Sequence, residues 1–391
     1  MDPFPTFQID DPPWIRPEAA YIHIPFCAHR CGYCDFAIAT GKDERVDAYL
    51  AALDVEMRLV GEPKPVKTIF VGGGTPSHLD LGQLEKLCKV LKNRLVWSPG
   101  AEVSLEANPE SLTQEKVRLL KDAGFTRISL GAQSFSRQTL NQLERPHEPA
   151  AVCDAVSIVQ SSGMAVSVDL IFGAPGQSIE DWAHDLDRAM ALGVGHLSTY
   201  GLTYEKGTPL EKRVRLGMVR PVDEESERAM YALSMDHLGA AGYRHYEISN
   251  FALTGQKCRH NEVYWANEAH WGFGMGASGY VALNRELNTR DLERYIRLCE
   301  SGKRATFQGE TLPPRDRAIE TMAQNLRRST GIDRDRFSLQ TGFNLAILLG
   351  KEAAQLAKQG LVEWDDAGLR LTRAGRFVGD AVIERLMRFA A

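Results

Sequence analysis

Short apolar runs alternate with longer amphipathic stretches between residues 20 and 203, and this alternation predicts βα units around a parallel sheet. The predicted strands span residues 20–26, 66–71, 102–107, 127–132, 166–172 and 196–202. The predicted helices between them span residues 44–60, 81–93, 113–123, 150–161 and 179–192. Six such units can form an incomplete barrel or an open doubly wound sheet, and periodicity alone does not decide between these α/β folds.

Unusual residues follow several of the predicted strands. Residues 72–76, 108–109, 133–135 and 173–177 are rich in Gly, Pro and polar side chains. Because parallel strands end at the same edge of a sheet, these segments are expected to meet at its carboxyl end, where α/β folds bind ligands.

The βα rhythm stops near residue 221, and the rest of the chain has a different pattern. We predict an N-terminal extension (1–19), a barrel (20–220), a helical and loop connector (221–312) and a C-terminal domain (313–391). The last segment shows helices at 315–327, 333–341 and 345–359 and a hairpin at 361–372, a winged-helix-like α+β layout. From residue 331 to 391 there are nine Lys and Arg against eight Asp and Glu, so the charge does not favour DNA binding.

Composition restricts the partners and the cellular location that we expect for the protein. A formal net charge of −5 gives no reason to expect a nucleic-acid partner, and no apolar run approaches the about 20 residues of a membrane-spanning helix. The first 17 residues lack the layout of a secretory signal, so a cytoplasmic location is expected. Seven cysteines, an odd number spread over 391 residues, do not suggest a disulfide framework.

Three of these cysteines form a cluster directly after the first predicted strand, in the spacing Cys27-x3-Cys31-x2-Cys34. Three thiolates can hold three irons of a four-iron cube, which leaves the fourth iron open to an amine and a carboxylate such as those of S-adenosylmethionine. A zinc site completed by His23 or His29, or three unrelated thiols, are the alternative interpretations.

With this cluster the chain resembles the radical S-adenosylmethionine superfamily and, within it, the coproporphyrinogen dehydrogenase group. The resemblance covers the whole βα region through Tyr-Ile-His-Ile-Pro-Phe-Cys at 21–27, Gly-Gly-Gly-Thr-Pro at 72–76, Glu-Ala-Asn-Pro at 106–109, Gly-Ala-Gln-Ser-Phe at 131–135 and Asp-Leu-Ile-Phe-Gly-Ala-Pro at 169–175. It implies a partial (β/α)6 barrel that carries an oxygen-sensitive [4Fe-4S] cluster and binds S-adenosylmethionine.

The resemblance also implies a set of residues that bind S-adenosylmethionine. Without side chains, the glycines would let backbone N–H groups approach the methionine end, and Glu106 would accept a hydrogen bond from the ribose or the amino group. The full set is Tyr21, Tyr33, Gly73, Gly74, Thr75, Glu106, Gln133, Arg145 and Asp169. Tight-turn glycines, a structural buried Asp169 and a surface ion pair of Arg145 are the alternatives.

Two departures separate the chain from the dehydrogenases, which carry a further cysteine two residues after the third and a longer N-terminal segment. Here that position is Phe36, and both features resemble the haem chaperones of the group. The segment His-Asn-x2-Tyr-Trp at 260–265 resembles a haem-chaperone motif; His260 is a candidate haem ligand, and Tyr264, Trp265 and Trp271 a candidate apolar surface. Local backbone capping by His260 is the alternative.

The predicted function is therefore that of a haem carrier that serves an acceptor haemoprotein, with an electron donor such as a flavodoxin or ferredoxin. Coproporphyrinogen III dehydrogenation, or another radical reaction on a small molecule, is the alternative.

Overall fold

A computed structural model describes residues 7–8, 10–62 and 64–390. Residues 1–6 of the predicted extension lie outside the described residues. The first eight strands are β1 Ala19–Ile24, β2 Phe26–Cys27, β3 Ala39–Thr40, β4 Lys64–Gly73, β5 Leu95–Ala107, β6 Arg127–Gln133, β7 Ala165–Phe172 and β8 His196–Gly201. The remaining strands are β9 Arg244–His245, β10 Asn250–Ala252, β11 Trp271–Phe273, β12 Ser278–Val281, β13 Asn284–Asn288, β14 Thr306–Thr311, β15 Ile332–Asp333, β16 Val362–Trp364 and β17 Gly368–Leu371.

The helices lie between and after these strands. Those of the βα region are α1 Val46–Leu59, α2 Leu81–Arg94, α3 Gln114–Ala123, α4 Arg137–Gln142, α5 Pro149–Ser161, α6 Ile179–Ala191 and α7 Pro209–Arg215. Those that follow are α8 Glu224–Ala240, α9 Arg259–Trp265, α10 Leu292–Glu300, α11 Pro314–Leu326, α12 Arg334–Thr341, α13 Leu345–Lys358, α14 Arg373–Phe377 and α15 Gly379–Ala390.

The main sheet has nine strands in the order β11-β1-β4-β5-β6-β7-β8-β10-β9. The six strands predicted from the apolar runs are neighbours in chain order and all parallel, for example with Ile22 opposite Val71. Their apolar side chains are buried on both faces, as is typical of parallel strands covered by helices. The α/β partial barrel predicted from the resemblance is confirmed.

Local signals in the sequence explain where the helices begin and end. Asp80 and Gln83 form a capping box at the start of α2, and Ser178 and Asp181 form another at the start of α6. Gly124 ends α3 in the left-handed conformation with φ of 93°, which a side chain would disfavour. The helices are therefore placed by caps as well as by their apolar faces.

Residues 260–280, part of the predicted helical and loop connector, have more regular structure than a loop. This stretch contains α9, β11 and β12, and β11 extends the main sheet by pairing in parallel with β1. Trp271 is 2% exposed and Met275 1% exposed, so both belong to the core. Three residues of strand are too short to give a periodic signal. Of the three aromatic side chains predicted to form an apolar surface, Trp271 is instead part of the interior, whereas Tyr264 and Trp265 are half-buried.

The C-terminal part has its own apolar core, formed by α11, α12, α13, α15 and the three-stranded sheet β15-β17-β16. The three helices and the hairpin follow the predicted winged-helix-like layout, and α14 and α15 extend it. Gln340 joins this part to α9 by donating from Nε2 to the carbonyls of Ala266 and Asn267 at 3.1 and 2.9 Å. The residue limits of the four predicted segments stay a prediction.

Candidate functional site

The three clustered cysteines lie at the carboxyl end of β1, where the sequence places them. Cys27 and Cys31 are each 8% exposed, and Cys34 is half-buried. The Cys27 thiol lies 3.3 Å from the Thr75 hydroxyl, and Arg145 Nη1 lies 3.4 Å from the Cys31 sulfur. Thus the loop presents three free thiols beside one buried guanidinium.

The donor set suits an iron–sulfur cluster. In the described part of the chain, no three or more His, Cys, Asp or Glu side chains converge closely enough to hold a single metal ion. The thiolates of a four-iron cube bind three different irons, so they need not converge on one point. Burial raises the pKa of the Cys27 thiol to about 11, so the bare thiol stays protonated at neutral pH and metal binding has to displace its proton. The buried Nε of Arg145 has no hydrogen-bond partner among the described residues, and the arginine lines the cavity beside the thiols.

The glycine-rich turn after β4 differs from the prediction in one respect. The N–H of Gly73 donates to Glu106 Oε2 at 2.9 Å, and that of Gly74 donates to the Ile24 carbonyl at 2.8 Å. The prediction that these N–H groups are open to a ligand is therefore wrong for this structure. What the glycines provide is space: a Cβ on Gly73, whose φ is +110°, would lie 2.4 Å from the His23 ring.

Two half-buried carboxyl groups, those of Glu106 and Asp169, line the same cavity as this turn. Burial raises the pKa of Glu106 to about 7, against the opposing effect of its hydrogen bond from Gly73. Burial likewise raises the pKa of Asp169, although hydrogen bonds from Ser198 and Ser129 oppose it; the Ser129 hydroxyl is 3.0 Å from Oδ2. Glu106 is thus poised between its charged and neutral forms near physiological pH.

Gln133 occupies a special position at the end of β6. Its φ is +65°, and the pairing of β6 with β7 shifts register between Gly131 and Gln133. A Cβ on Gly131 would lie 2.6 Å from Arg145 Nη2, so the absence of a side chain at 131 makes room for the arginine. The bulge turns Gln133 toward the same cavity.

Two cavities of about 410 and 430 Å³ occupy the carboxyl end and the interior of the barrel. The first brings together most of the predicted residues: Cys27, Cys31, Tyr33, Cys34, Gly73, Gly74, Thr75, Glu106, Gln133, Arg145 and Asp169. The second is lined by Tyr21 and His260 among others, and it shares Glu106 and Asp169 with the first. The predicted residues therefore surround one continuous region with two compartments.

His260 is fully buried at the start of α9 and has two partners. Nδ1 lies 2.9 Å from the Thr68 hydroxyl and Nε2 lies 2.8 Å from the Tyr264 hydroxyl. Burial lowers the pKa of the imidazole to about 3, so the ring is neutral at physiological pH. A haem iron bound at Nε2 would have to displace Tyr264, and the ligand role of His260 stays a prediction.

Sequence reasoning missed two residues at the mouth of the cavities. Tyr200 at the end of β8 lines both compartments, and Arg290 lines the second and donates to the Asp35 carbonyl. Tyr200 lies at the carboxyl end of β8, the sixth of the predicted strands, and that position could have identified it as a site residue. Arg290 follows β13, far along the chain, and no local pattern points to it.

Comparison with known proteins agrees with this geometry. Residues 21–189 match the model of the radical SAM superfamily, and residues 312–378 match that of the HemN C-terminal domain. The haem chaperone HemW of Lactococcus lactis is 35% identical over 373 residues, covering 95% of this chain and 98% of that protein. HemW of Bacillus subtilis is 36% identical, covering 93% and 98%, and HemW of Escherichia coli is 32% identical, covering 95% and 98%.

The fold is also that of a solved structure. Coproporphyrinogen III oxidase (HemN) from Escherichia coli, described as a radical SAM enzyme, superposes with a TM-score of 0.82 at 23% identity and covers 96% of this chain and 90% of its own. At that identity the likeness concerns the fold. None of the described helices combines the length and apolarity needed to cross a membrane.

Membership of the superfamily implies a [4Fe-4S] cluster and S-adenosylmethionine, and the three thiols beside the glycine-rich turn suit both. Similarity at 35–36% identity over nearly the whole length then distinguishes among the groups within the superfamily. The chain belongs to the radical SAM superfamily and, within it, to the family of haem chaperones named HemW.

Proposed function

We propose that this protein is a haem chaperone that binds haem and delivers it to acceptor haemoproteins. The observation that carries the proposal is the similarity to HemW proteins over 98% of their length. Phe36 supports it, since it stands where the dehydrogenases carry a further cysteine. Its side chain lines the mouth of both cavities and offers no fourth thiol there.

In this proposal Cys27, Cys31 and Cys34 hold the cluster, and the first cavity holds S-adenosylmethionine. A [4Fe-4S] cluster held by these thiolates would, when reduced, supply an electron for cleavage of a carbon–sulfur bond of a sulfonium bound in the first cavity. The chain's own residues would orient the ligand: the guanidinium of Arg145 lines the cavity and would pair with a carboxylate, and Glu106 would accept from an amine or hydroxyl. The buried walls exclude water from the region around the thiols.

Haem binding is proposed to involve the second compartment, where His260 is the candidate ligand. Its neutral imidazole has the protonation state that iron requires, which supports the assignment. The competing contact from Tyr264 makes this assignment testable through both residues.

Two further elements complete the proposal. The cluster receives electrons from a carrier such as a flavodoxin or ferredoxin. The protein acts in the cytoplasm, which the seven free cysteines support because a reducing compartment keeps thiols unpaired.

Anaerobic haem titration of the reconstituted protein tests the proposal. We expect a Soret shift that saturates at a fixed haem-to-protein ratio, followed by transfer of the haem when an apo-haemoprotein is added. Apo-haemoprotein mixed with free haem at the same concentration is the control for unassisted uptake. If no saturating shift is seen and coproporphyrinogen III is converted to vinyl products, the protein is a dehydrogenase and the chaperone proposal is wrong.

A further inference from the structure

A basic projection lies against the cluster loop and has no role in the functions described above. It consists of residues 205–220, that is, α7 with its flanking turns. This segment has five basic residues (Lys206, Lys212, Arg213, Arg215 and Arg220) against two acidic ones (Glu205 and Glu211), whereas the whole chain carries a net charge of −5. The local positive charge therefore stands out from the rest of the protein.

The projection is fastened directly to the loop that carries the cysteines. The N–H of Leu210 donates to the carbonyl of Gly32, between Cys31 and Cys34, at 2.8 Å. Arg213 Nη1 pairs with Glu144 at 3.0 Å, and a Cβ on Gly32 would lie 2.8 Å from the carboxyl carbon of Glu144. The basic segment is thus in direct contact with the loop that carries the sulfur donors.

The tip of the projection is apolar and exposed. Leu216 is 58% exposed and Met218 is 70% exposed, on either side of Gly217, whose φ of +69° makes the turn. Within the described residues, Lys206 and Lys212 are exposed and form no ion pair. An exposed apolar patch on the same segment as unpaired lysines is typical of a surface that meets an acidic protein.

We propose that residues 205–220 together with the cluster loop form the docking surface for a small acidic one-electron carrier protein of the flavodoxin or ferredoxin type. The occupant follows from position and charge: a carrier bound here sits over the cluster loop, and its acidic surface complements the lysines. One electron leaves the carrier and enters the cluster, and no bond or proton moves. This inference rests on the proposed cluster but not on haem binding.

Charge reversal on the projection tests the assignment. The variant Lys206→Glu/Lys212→Glu is compared with Lys351→Glu/Lys358→Glu, which makes the same charge change on exposed lysines of α13. Reconstituted protein is mixed with reduced flavodoxin in an anaerobic stopped-flow instrument, and bleaching of the cluster absorbance is followed. We expect the second-order rate constant of the first variant to fall at least about tenfold at low salt, because surface charges set association rates.

Several controls keep the outcome specific. Reduction by dithionite, a small reagent that needs no docking surface, should proceed at the same rate in all three proteins. The difference between the variants should shrink at 0.5 M salt, since the Debye length is about 10 Å at 0.1 M and shorter above it. Leu216→Ser/Met218→Ser should weaken flavodoxin binding in isothermal titration calorimetry, a measurement that requires no cluster turnover.

Equal rate constants for the two lysine variants would overturn the proposal. The proposal would also be overturned if Lys206→Glu/Lys212→Glu were reduced at the normal rate but transferred haem slowly to an acceptor. In that case residues 205–220 would bind the haem acceptor instead. Haem titration of the same proteins separates this inference from the proposed function. If the wild type binds no haem, the proposed function fails, but the comparison of reduction rates remains valid. Absence of a cluster in the reconstituted wild type would remove both.

Discussion

The backbone N–H of Gly73 donates a hydrogen bond to Glu106 Oε2 at 2.9 Å, which ties the turn after β4 to the end of β5. The carboxyl group is half-buried and lines the same cavity as the three thiols. Because this one contact sets both the turn and the ligand acceptor, Glu106 is the residue where pH and cofactor binding should be coupled.

We expect binding of S-adenosylmethionine to weaken as the pH falls from 8 to 6. The pKa of Glu106 is raised to about 7, so acidification converts the acceptor into the neutral acid. Glu106→Gln should weaken binding about tenfold or more at pH 8, the usual cost of a lost charge-assisted hydrogen bond, and should remove most of the pH dependence. Equilibrium dialysis at several pH values measures both effects; an unaltered pH profile in the variant would contradict the assignment.

The same raised pKa predicts the direction of a stability effect. A carboxyl group whose pKa is higher in the folded chain than in the unfolded chain stabilises the fold most below about pH 4.5, and this contribution is lost as the pH rises through 7. Glu106→Gln, which mimics the neutral acid, should therefore melt no lower than the wild type at pH 8 in the ligand-free form. Differential scanning fluorimetry at pH 8 checks this, with Glu106→Ala as the variant that loses the contact to Gly73.

Loss of any clustered cysteine should abolish the cluster. For Cys27→Ala, Cys31→Ala or Cys34→Ala, iron after anaerobic reconstitution should fall from about four atoms per chain to well under one, since three thiolates are needed to hold the cube. Cys153→Ser is the matched control, because Cys153 is half-buried on α5 and distant in sequence from the loop. Iron and acid-labile sulfide analysis provides the measurement, and a stoichiometric zinc content in the wild type would refute the cluster.

His260 and Tyr264 together distinguish a haem ligand from a structural histidine. If Nε2 binds iron, Tyr264→Phe should keep or tighten haem binding, because the competing hydroxyl is gone, while His260→Ala should shift or abolish the Soret band. If the imidazole only packs against Thr68 and Tyr264, both variants lose stability and the haem spectrum of the folded fraction is unchanged. Iron–sulfur content, which neither change should alter, verifies that the proteins are intact.

The link between the barrel and the C-terminal part can be tested at one side chain. Gln340→Ala removes two buried hydrogen bonds to the carbonyls of Ala266 and Asn267, at an expected cost of about 1–3 kcal/mol in the free energy of unfolding. Leu339→Ala, next to it and 76% exposed, should change the stability by less than about 0.5 kcal/mol. Urea denaturation of both variants gives the comparison, and similar midpoints would show that the amide bonds carry little energy.

The parallel core was predictable because long apolar runs, helix caps and strand-end glycines all act locally. The strand β5 begins seven residues earlier than predicted, at Leu95 rather than residue 102, since Ser98, Pro99 and Gly100 disrupt the apolar pattern without ending the pairing with β4. The left-handed backbone conformation of Gln133 could not be predicted from the sequence, because glutamine rarely adopts it and tertiary packing around Arg145 holds it in place.

Within the site, the sequence predicted which residues gather but not which contacts they already make. Motif order alone brought Glu106, Arg145 and Asp169 to one edge of the sheet. The bonds that occupy the N–H of Gly73 and Nδ1 of His260 come from Glu106 and Thr68, 33 and 192 positions away, so no local pattern could reveal them.

Strand β11 has a practical consequence for handling this protein. Trp271 to Phe273 cover the outer side of β1, the strand that leads into Cys27, by pairing with Ala20 to Ile22. A fragment ending near residue 220 would keep the three clustered thiols and the glycine-rich turn, but it would leave the backbone donors and acceptors of β1 open to other chains, and such edges aggregate. Any shortened version intended to carry the cluster therefore has to extend at least through residue 273.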